Sequence, residues 1–308
     1  MVIKMVNNSE TLSLNAIQRN RASLFMEKSF KYWMIIPITL ALLAIAIFPF
    51  LYALYLSFTN AKTINFLHPN FVWFKNYWFL LKNGIFYLAL AQTLGYVALS
   101  LGLETGIGLF LAILADKVDK GSKVIVSLLF TPMLISTVFA GIIAKLVLSP
   151  TFGVIQYYFN KIGFAGELTD KAHALITIIG IDVWQWTSFM FLILYAGLKA
   201  LPPEPFEAAR VFKANAWQTF RYITLPLLKP VLIIAAIFRM MDSFKAFDHI
   251  YALTGGGPGN ATATLSVLMY NFAYKADSFG IASALGIVML VVVIFATKRL
   301  LRFMPMYK

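Results

Sequence analysis

The sequence predicts an all-α, polytopic membrane protein with about six transmembrane helices. Three observations carry that expectation. Of the 308 residues, 60% are hydrophobic and only 13% charged, whereas soluble domains are nearer half apolar and a quarter charged. The mean hydropathy is +0.77. The apolar residues also gather into six runs, each close to the ~20 residues that a helix needs to cross about 30 Å of hydrocarbon.

The first run, Trp33 to Leu56, follows a polar tail, residues 1–32, that carries Arg19, Arg21, Lys28 and Lys31. It is too long for the apolar core of a secretion signal, and no small-residue cleavage pattern follows it, so it reads as a retained first span. The tail reads either as a short surface helix or as disorder. Residues 57–85 form an outer loop. The second run lies within Phe86 to Ala115 and contains Glu104. The third is Val124 to Leu148, the fourth Ala174 to Leu198, the fifth Tyr222 to Met241 and the sixth Phe279 to Thr297, with a tail at 301–308.

Between the fourth and fifth runs lies the polar, mixed-charge stretch EAARVFKANAWQTFRYITLPLLKP, residues 207–230. Pro202, Pro203 and Pro205 end the fourth span, because proline cannot continue a helix interior. Glu204 and Glu207 then suit the positive end of a new helix. Glu207 to Val211 reads as one short helix and Asn215 to Tyr222 as another, with Pro226 and Pro230 at the start of the fifth span. The residues alone leave two readings open: a plain connection, or a polar helix-turn-helix on the membrane surface.

The formal net charge is +13. In a soluble protein that would suggest nucleic acid; here its placement matters more. Counting Lys and Arg with the N-terminus inside, the inner segments 1–32, 116–123, 199–221 and 298–308 hold sixteen, whereas the outer ones hold seven: Lys62, Lys75, Lys82, Lys161, Lys171, Lys245 and Lys275. The excess of positive charge on cytoplasmic loops therefore predicts that both termini, and the stretch 207–230, face the cytoplasm of a multi-pass protein. No nucleic-acid partner is expected. With no cysteine, disulfides, thiol catalysis and cysteine-ligated metals are excluded. The three histidines, His68, His173 and His249, are far apart, so no metal site is expected. Gly255-Gly256-Gly257-Pro258-Gly259 lacks the lysine and Ser/Thr of a phosphate-binding loop and reads as a turn at the outer mouth. No catalytic constellation is present, so the chain is not expected to be an enzyme or to bind a cofactor.

Ionisable and large polar groups within spans are costly and mark function by default. Gln92, Glu104, Lys145, Asp182, Gln185, Arg239, Asp242 and Lys245 qualify. Each has a plainer reading. Lys145 can snorkel to the surface, Glu104 and Asp182 can join helices by hydrogen bonds, and Arg239 and Asp242, one turn apart, can pair. For a solute rich in hydroxyls, Trp184, Gln185 and Trp186 offer hydrogen bonding and an aromatic face together, unless the tryptophans merely face lipid. Arg239, Ser243 and Ala246 recur every three or four residues and so line one helix face.

Several motifs occur in order. Glu207-Ala208-Ala209 is followed by Trp217-Gln218-x-Phe220-x-x-Ile223-x-Leu225-Pro226. Phe71-Val72-x-Phe74-x-Asn76-Tyr77, Pro150-x-Phe152-Gly153-Val154, Trp184-Gln185 and Leu253-Thr254-Gly255-Gly256-Gly257-Pro258 with Thr262 complete the set. Together they resemble the membrane subunits of ABC importers, and more narrowly the sugar permeases of the maltose and glycerol-phosphate type, over about residues 88 to 300. The resemblance is to the first of the two permeases in a heterodimer.

That resemblance implies a type I ABC importer permease fold, with a transmembrane core at 86–300 and a coupling loop at 203–222. It implies a second permease subunit, two cytoplasmic ATPase subunits that bind ATP and Mg, an extracytoplasmic solute-binding protein, a sugar substrate and a bacterial inner (plasma) membrane. Glu207 would be the polar anchor of the ATPase contact, and Ala208 and Ala209 would allow close approach, with Lys213, Ala214, Phe220, Leu225 and Pro226 in the same coupling segment. Gln185, Trp186, Phe189, Arg239, Ser243 and Ala246 match the family's sugar-binding positions, beside which Trp184 and Asp242 stand on their own chemistry. Gly255, Gly256, Gly257 and Pro258 would lie near the docked binding protein.

Two departures qualify the match. The family usually has Asp-Gly-Ala where this chain has Phe212-Lys213-Ala214. Glycine allows a positive-φ turn, where lysine is strained by about 1–2 kcal/mol, so either the turn changes geometry or the partner's groove has adapted. Arg239 and Ala246 replace small polar residues, which suggests an acidic or larger saccharide than maltose. A permease for a non-sugar solute, an ion-gradient-driven secondary transporter and a scaffold that transports nothing remain as rivals.

Overall fold

The computed structural model describes residue 30 and residues 32–118, 121–164 and 166–304. The reading of the N-terminal tail lies outside the described residues. Among the described residues the structure is helical, with a single isolated β-bridge between Thr59 and Phe71.

Five helices are long and apolar enough to cross a membrane: α1 (Tyr32–Ser57), α3 (Gly84–Asp116), α7 (Ala174–Lys199), α9 (Ala216–Phe244) and α12 (Phe279–Leu301). A bent pair, Ser122–Leu134 followed by Thr137–Val147, makes a sixth if taken as one span. Its first half opens with α4 (Ser122–Phe130) and its second is α5 (Thr137–Val147). Shorter helices are α2 (Lys75–Lys82), α6 (Val154–Lys161), α8 (Glu204–Val211), α10 (Asp248–Thr254) and α11 (Leu265–Tyr270). The chain divides into two compact units, one ending at Tyr55 and the other running from Leu56 onward. In the first unit, the side chains of Trp33, Ile45 and Phe48 are exposed, as lipid-facing residues should be.

The structure corrects two of the expected spans. The third is not a straight helix over 124–148, because the chain bends by 88° at its middle. Pro132 opens a 3-10 turn at Thr131–Leu134, and Ile135 and Ser136 are then extended. Proline supplies no N–H for a continuing helix. The fifth span and the second helix of the polar stretch are not separate. They form one helix from Ala216 to Phe244, joined by a π-helical segment at Phe220–Thr224. Pro226 falls in the first turn after that segment, where the missing N–H matters least. The second span is a single helix of 33 residues, about 50 Å at 1.5 Å per residue.

Three apolar clusters hold the second unit together. One joins α3, α5, α7, α9, α10 and α11 through Tyr96, Ala144, Ile178, Phe244, Ile250 and Val267. A second packs Ala112 and Ala115 of α3 against Met190, Phe191 and Leu194 of α7 and Leu228 of α9. Alanine lets helices approach closely where lipid supplies no hydrophobic drive. A third joins Leu80, Phe86, Leu265 and Leu285. Beside it, Asn76 donates from Nδ2 to the carbonyls of Ser57 and Thr59, both at 2.8 Å, so the motif around Asn76 holds the segment Ser57–Thr59. Nearby, the Thr63 hydroxyl and amide donate to Asp277 Oδ1 and hold that carboxyl below its usual range.

Candidate functional site

A buried charge cluster lies between α3, α7, α9 and α10. Along α3, Tyr96, Ser100, Glu104, Gly108 and Ala112 are buried at four-residue spacing, which places them on one face. Glu104 is therefore in register with the packed stripe, not with lipid. Asp182 is buried on α7 and Arg239 on α9. The Arg239 side chain is 1% exposed.

Arg239 Nε donates to Glu104 Oε2 at 2.7 Å, and Nη2 donates to Glu104 Oε1 at 2.8 Å and to Asp182 Oδ2. Nη1 reaches Asp242 Oδ2 at 3.4 Å. The guanidinium carbon lies 4.9 Å from the centre of the Trp186 ring. Beside it, His249 Nε2 is 3.1 Å from Tyr96 Oη and 3.7 Å from Asp182 Oδ1. The close approach of α5 to α10 that seats His249 depends on Gly141, where a Cβ would stand 2.8 Å from His249 Cα. Desolvating an ion costs several kcal/mol, and the loss is recovered only with good geometry and satisfied partners. The two-pronged Arg239–Glu104 contact supplies that geometry.

The cluster borders a cavity of about 180 Å³ lined by Thr137, Asp182, Trp186, Asp242, Ala246 and His249, among others. A second cavity, of about 530 Å³, is lined by Trp186, Phe189, Phe238, Met241 and others. Arg239, Trp186, Asp242 and Lys245 line both, so the two adjoin across the same charged wall.

The polar stretch 203–222 has a defined shape of its own. Helix α8 begins with Pro205 in its first turn and with Glu204 and Glu207 at its N-terminal end. Glu207 and Ala208 are exposed and Ala209 is buried. At its C-terminus the Ala214 amide donates to the Ala209 carbonyl at 2.9 Å and the Lys213 amide to the Arg210 carbonyl at 3.0 Å. These are the paired bonds of a Schellman turn, which wants a left-handed residue between them. Lys213 is that residue, at φ +54°. The departure from glycine at this position therefore changes the residue and not the turn. Asn215 then caps α9: its side chain accepts from the Gln218 amide at 2.8 Å, while Gln218 Oε1 accepts from the Asn215 amide at 2.8 Å. Phe220 and Leu225 are half-buried and Pro226 is exposed.

The model of the family described as "Binding-protein-dependent transport system inner membrane component" matches residues 104–304. The chain belongs to this family. Its similarity to curated permeases extends further. It is 34% identical to the trehalose/maltose transport system permease protein MalF of Thermococcus litoralis over 89% of this chain and 92% of that one. It is 31% identical to the trehalose transport system permease protein SugA of Mycobacterium tuberculosis, over 90% and 89%. The fold matches a bacterial ABC transporter that imports the acidic polysaccharide alginate, with a TM-score of 0.76, 24% identity, and coverage of 92% of this chain and 99% of that one. The protein is thus an inner-membrane permease subunit with several transmembrane helices and the fold of the ABC importers.

The permease brings together only part of the substrate set expected from sequence. Trp186, Phe189, Arg239 and Asp242 share one cavity wall. Trp184 does not join them. It is exposed and lines a separate, apolar cavity of about 450 Å³ with Ala140, Ile143 and Ile181. Two residues along a helix are about 200° apart, so Trp184 and Trp186 face opposite sides. Gln185 is buried and donates to the Ile135 carbonyl, one of the backbone groups that the bent span leaves outside a helix. In an apolar region such a group needs a partner, and Gln185 is that partner. Ser243 Oγ donates to the Arg239 carbonyl at 2.9 Å, back into its own helix. Ala246 is not on the face of α9, which ends at Phe244, but it lines the smaller cavity from the following turn. The expected Arg239–Asp242 pair exists, yet it is the longest of Arg239's ion pairs. Lys145 is exposed.

Sequence reasoning did not connect Glu104 with Arg239, which lie 135 residues apart. The available signal was the four-residue spacing with Ser100, Gly108 and Ala112, which puts Glu104 on the packed face. Nearer the N-terminus of α3, Gln92 Nε2 donates to the carbonyls of Asn260 and Ala261. Gly255 and Gly256, at φ +61° and +93°, turn the chain after α10, and the Thr262 hydroxyl donates to the Gly257 carbonyl at 3.0 Å. Pro258 is exposed. Among the described residues, no group of three or more His, Asp or Glu is placed to hold a metal ion.

Proposed function

We propose that this permease is the first membrane subunit of an ATP-driven importer for a sugar or oligosaccharide, with both termini and the 203–222 loop in the cytoplasm. It would pair with a second permease. Two ATPase subunits, which carry the ATP and Mg, would bind the 203–222 loop through Glu207, Ala208 and Ala209, and a solute-binding protein would dock near Gly255 to Pro258 on the outer side. The relatives named for trehalose and maltose support a sugar cargo. The cargo would rest against Trp186, Phe189, Arg239 and Asp242.

The observation that carries this reading is the continuity of α9. One helix runs from Asn215, its cap at the Schellman turn, to Arg239 in the buried cluster and on to Asp242 at the cavity wall. A push on α8 and its turn therefore reaches the cavity through one continuous helix, interrupted by its π-helical segment and by Pro230, a direct route for a conformational switch. The inner excess of lysine and arginine supports the orientation.

The test is reconstitution of the complete transporter in proteoliposomes with its binding protein. Sugar uptake should require ATP, and Glu207→Lys should leave membrane insertion and basal ATP hydrolysis in place while abolishing sugar-stimulated uptake. Uptake that survives ATP depletion and stops when the ion gradient is collapsed would establish a secondary transporter instead.

A further inference from the structure

An arginine in the wall of a sugar cavity invites the reading made from sequence, that it anchors an acidic saccharide. Its surroundings argue the opposite. A guanidinium has five N–H donors. Four of those on Arg239 are directed at carboxylates: two at Glu104, one at Asp182 and one at Asp242. The guanidinium carbon lies over the Trp186 ring, 4.9 Å from its centre. One N–H is left for a ligand.

The charges around the cavity tell the same story. Arg239 and Lys245 face four carboxylates: Glu104, Asp182, Asp242 and Asp248. Lys245 is itself drawn to Asp242, at 3.7 Å. Asp182 is 1% exposed and lines the smaller cavity, yet its Oδ1 has no hydrogen-bond partner among the described residues, the nearest cation being His249 Nε2 at 3.7 Å. It is a buried acceptor close to Tyr96 and His249, and it favours a neighbouring donor. A sugar hydroxyl supplies one; a carboxylate does not, and it would be repelled more strongly here than in water.

We infer that the permease itself selects neutral, hydroxyl-rich saccharides against acidic ones, and that Glu104 sets this selectivity from outside the cavity by holding Arg239 neutralised against Trp186. Glu104 is 0% exposed and is not part of either cavity wall. It is a positioning residue and never meets the cargo. The inference rests on the proposed sugar-import reading of the same site.

The experiment measures equilibrium binding of labelled maltotriose and labelled trimannuronate, equal in length and opposite in charge character, to the complete membrane complex in nanodiscs with the binding protein omitted. Wild type should prefer the neutral trisaccharide by at least about tenfold, the scale of one charged hydrogen bond. Glu104→Gln removes the negative charge and one of the two acceptors, which frees one donor of Arg239, and should raise trimannuronate binding by about tenfold. The double variant Glu104→Gln with Arg239→Met, which removes both charges, should return to the neutral preference. If Glu104→Gln does not assemble, Asp242→Asn, at the half-exposed rim, should move the preference in the same direction. Equal wild-type binding of the two probes, or an unchanged preference in the variants that assemble, overturns the charge screen and leaves sugar import standing. Wild type that binds neither probe also overturns the charge screen, while the import reading is decided separately by the ATP-dependent uptake of sugar in proteoliposomes.

Discussion

The buried cluster around Arg239 and the turn at Lys213 each break a local rule, and they resolve the conflict on different scales. The first places full charges in an apolar bundle. Its compensation comes from Glu104 and Asp182, 135 and 57 residues away in sequence. The second places a lysine at φ +54°. Its compensation comes from two backbone hydrogen bonds within five residues. A penalty of several kcal/mol is met only by assembling helices, whereas one of about 1–2 kcal/mol can be met by the turn itself. The large violation therefore depends on the tertiary structure, and the small one does not.

The sharpest way to break this comparison is Arg239→Met. It leaves Glu104 and Asp182 as buried, unpaired carboxylates, and should cost about 3–5 kcal/mol, read as the loss of unfolding free energy of the assembled complex in mild detergent. Replacing all three residues by apolar ones of similar size should recover most of that loss, because the charges then disappear together. A cost below about 1 kcal/mol, the scale of a surface pair, would show that the cluster is effectively solvated, and the contrast with the turn would vanish.

Gln185→Leu probes an intermediate case. The bend between α4 and α5 leaves the Ile135 carbonyl outside any helix, and Gln185 from α7 is its partner. An orphaned buried acceptor should cost about 1–3 kcal/mol. Gln185→Glu should be at least as harmful, since an ionised carboxylate cannot donate. Thermal unfolding of the two variants side by side gives the order. If leucine is neutral, the carbonyl has another partner and the glutamine serves something else.

The same division of scale explains what could be read in advance. The apolar runs, the helix ended by Pro202 to Pro205, the start of α9 near Asn215 and the trouble at Phe212-Lys213 are local, and each was visible in residues close together. The conflict at Lys213 was legible as a choice, with the backbone keeping its geometry and the side chain accepting the strain. The bend of the third span hung on Thr131-Pro132, a local signal outweighed by the apolar run around it. The site was legible as a list of residues but not as an arrangement. Trp184 and Trp186 are adjacent in composition and opposed on a helix. Gln185 sits between them and answers to a carbonyl 50 residues away. Arg239 suggested an anion site until Glu104 and Asp182, on other helices, took its donors.

The smallest effect separates the turn's strain from its function. Lys213→Gly keeps the left-handed backbone and removes the Cβ clash. It relieves about 1–2 kcal/mol but gives back about 0.4–1 kcal/mol through the greater freedom of glycine in the unfolded chain. The net should be a stabilisation of about 0.5–1 kcal/mol. Lys213→Ala retains a Cβ at the same φ and should gain nothing, which makes it the control for the loss of charge. Hydrogen exchange at the amides of Lys213 and Ala214, which close the two Schellman bonds, reads the effect where it arises: slower exchange in the glycine variant, unchanged in the alanine variant. Faster exchange in the glycine variant would mean that the lysine side chain, not the backbone geometry, holds the turn. The two regions would then no longer differ in kind, since both would depend on a side-chain cation.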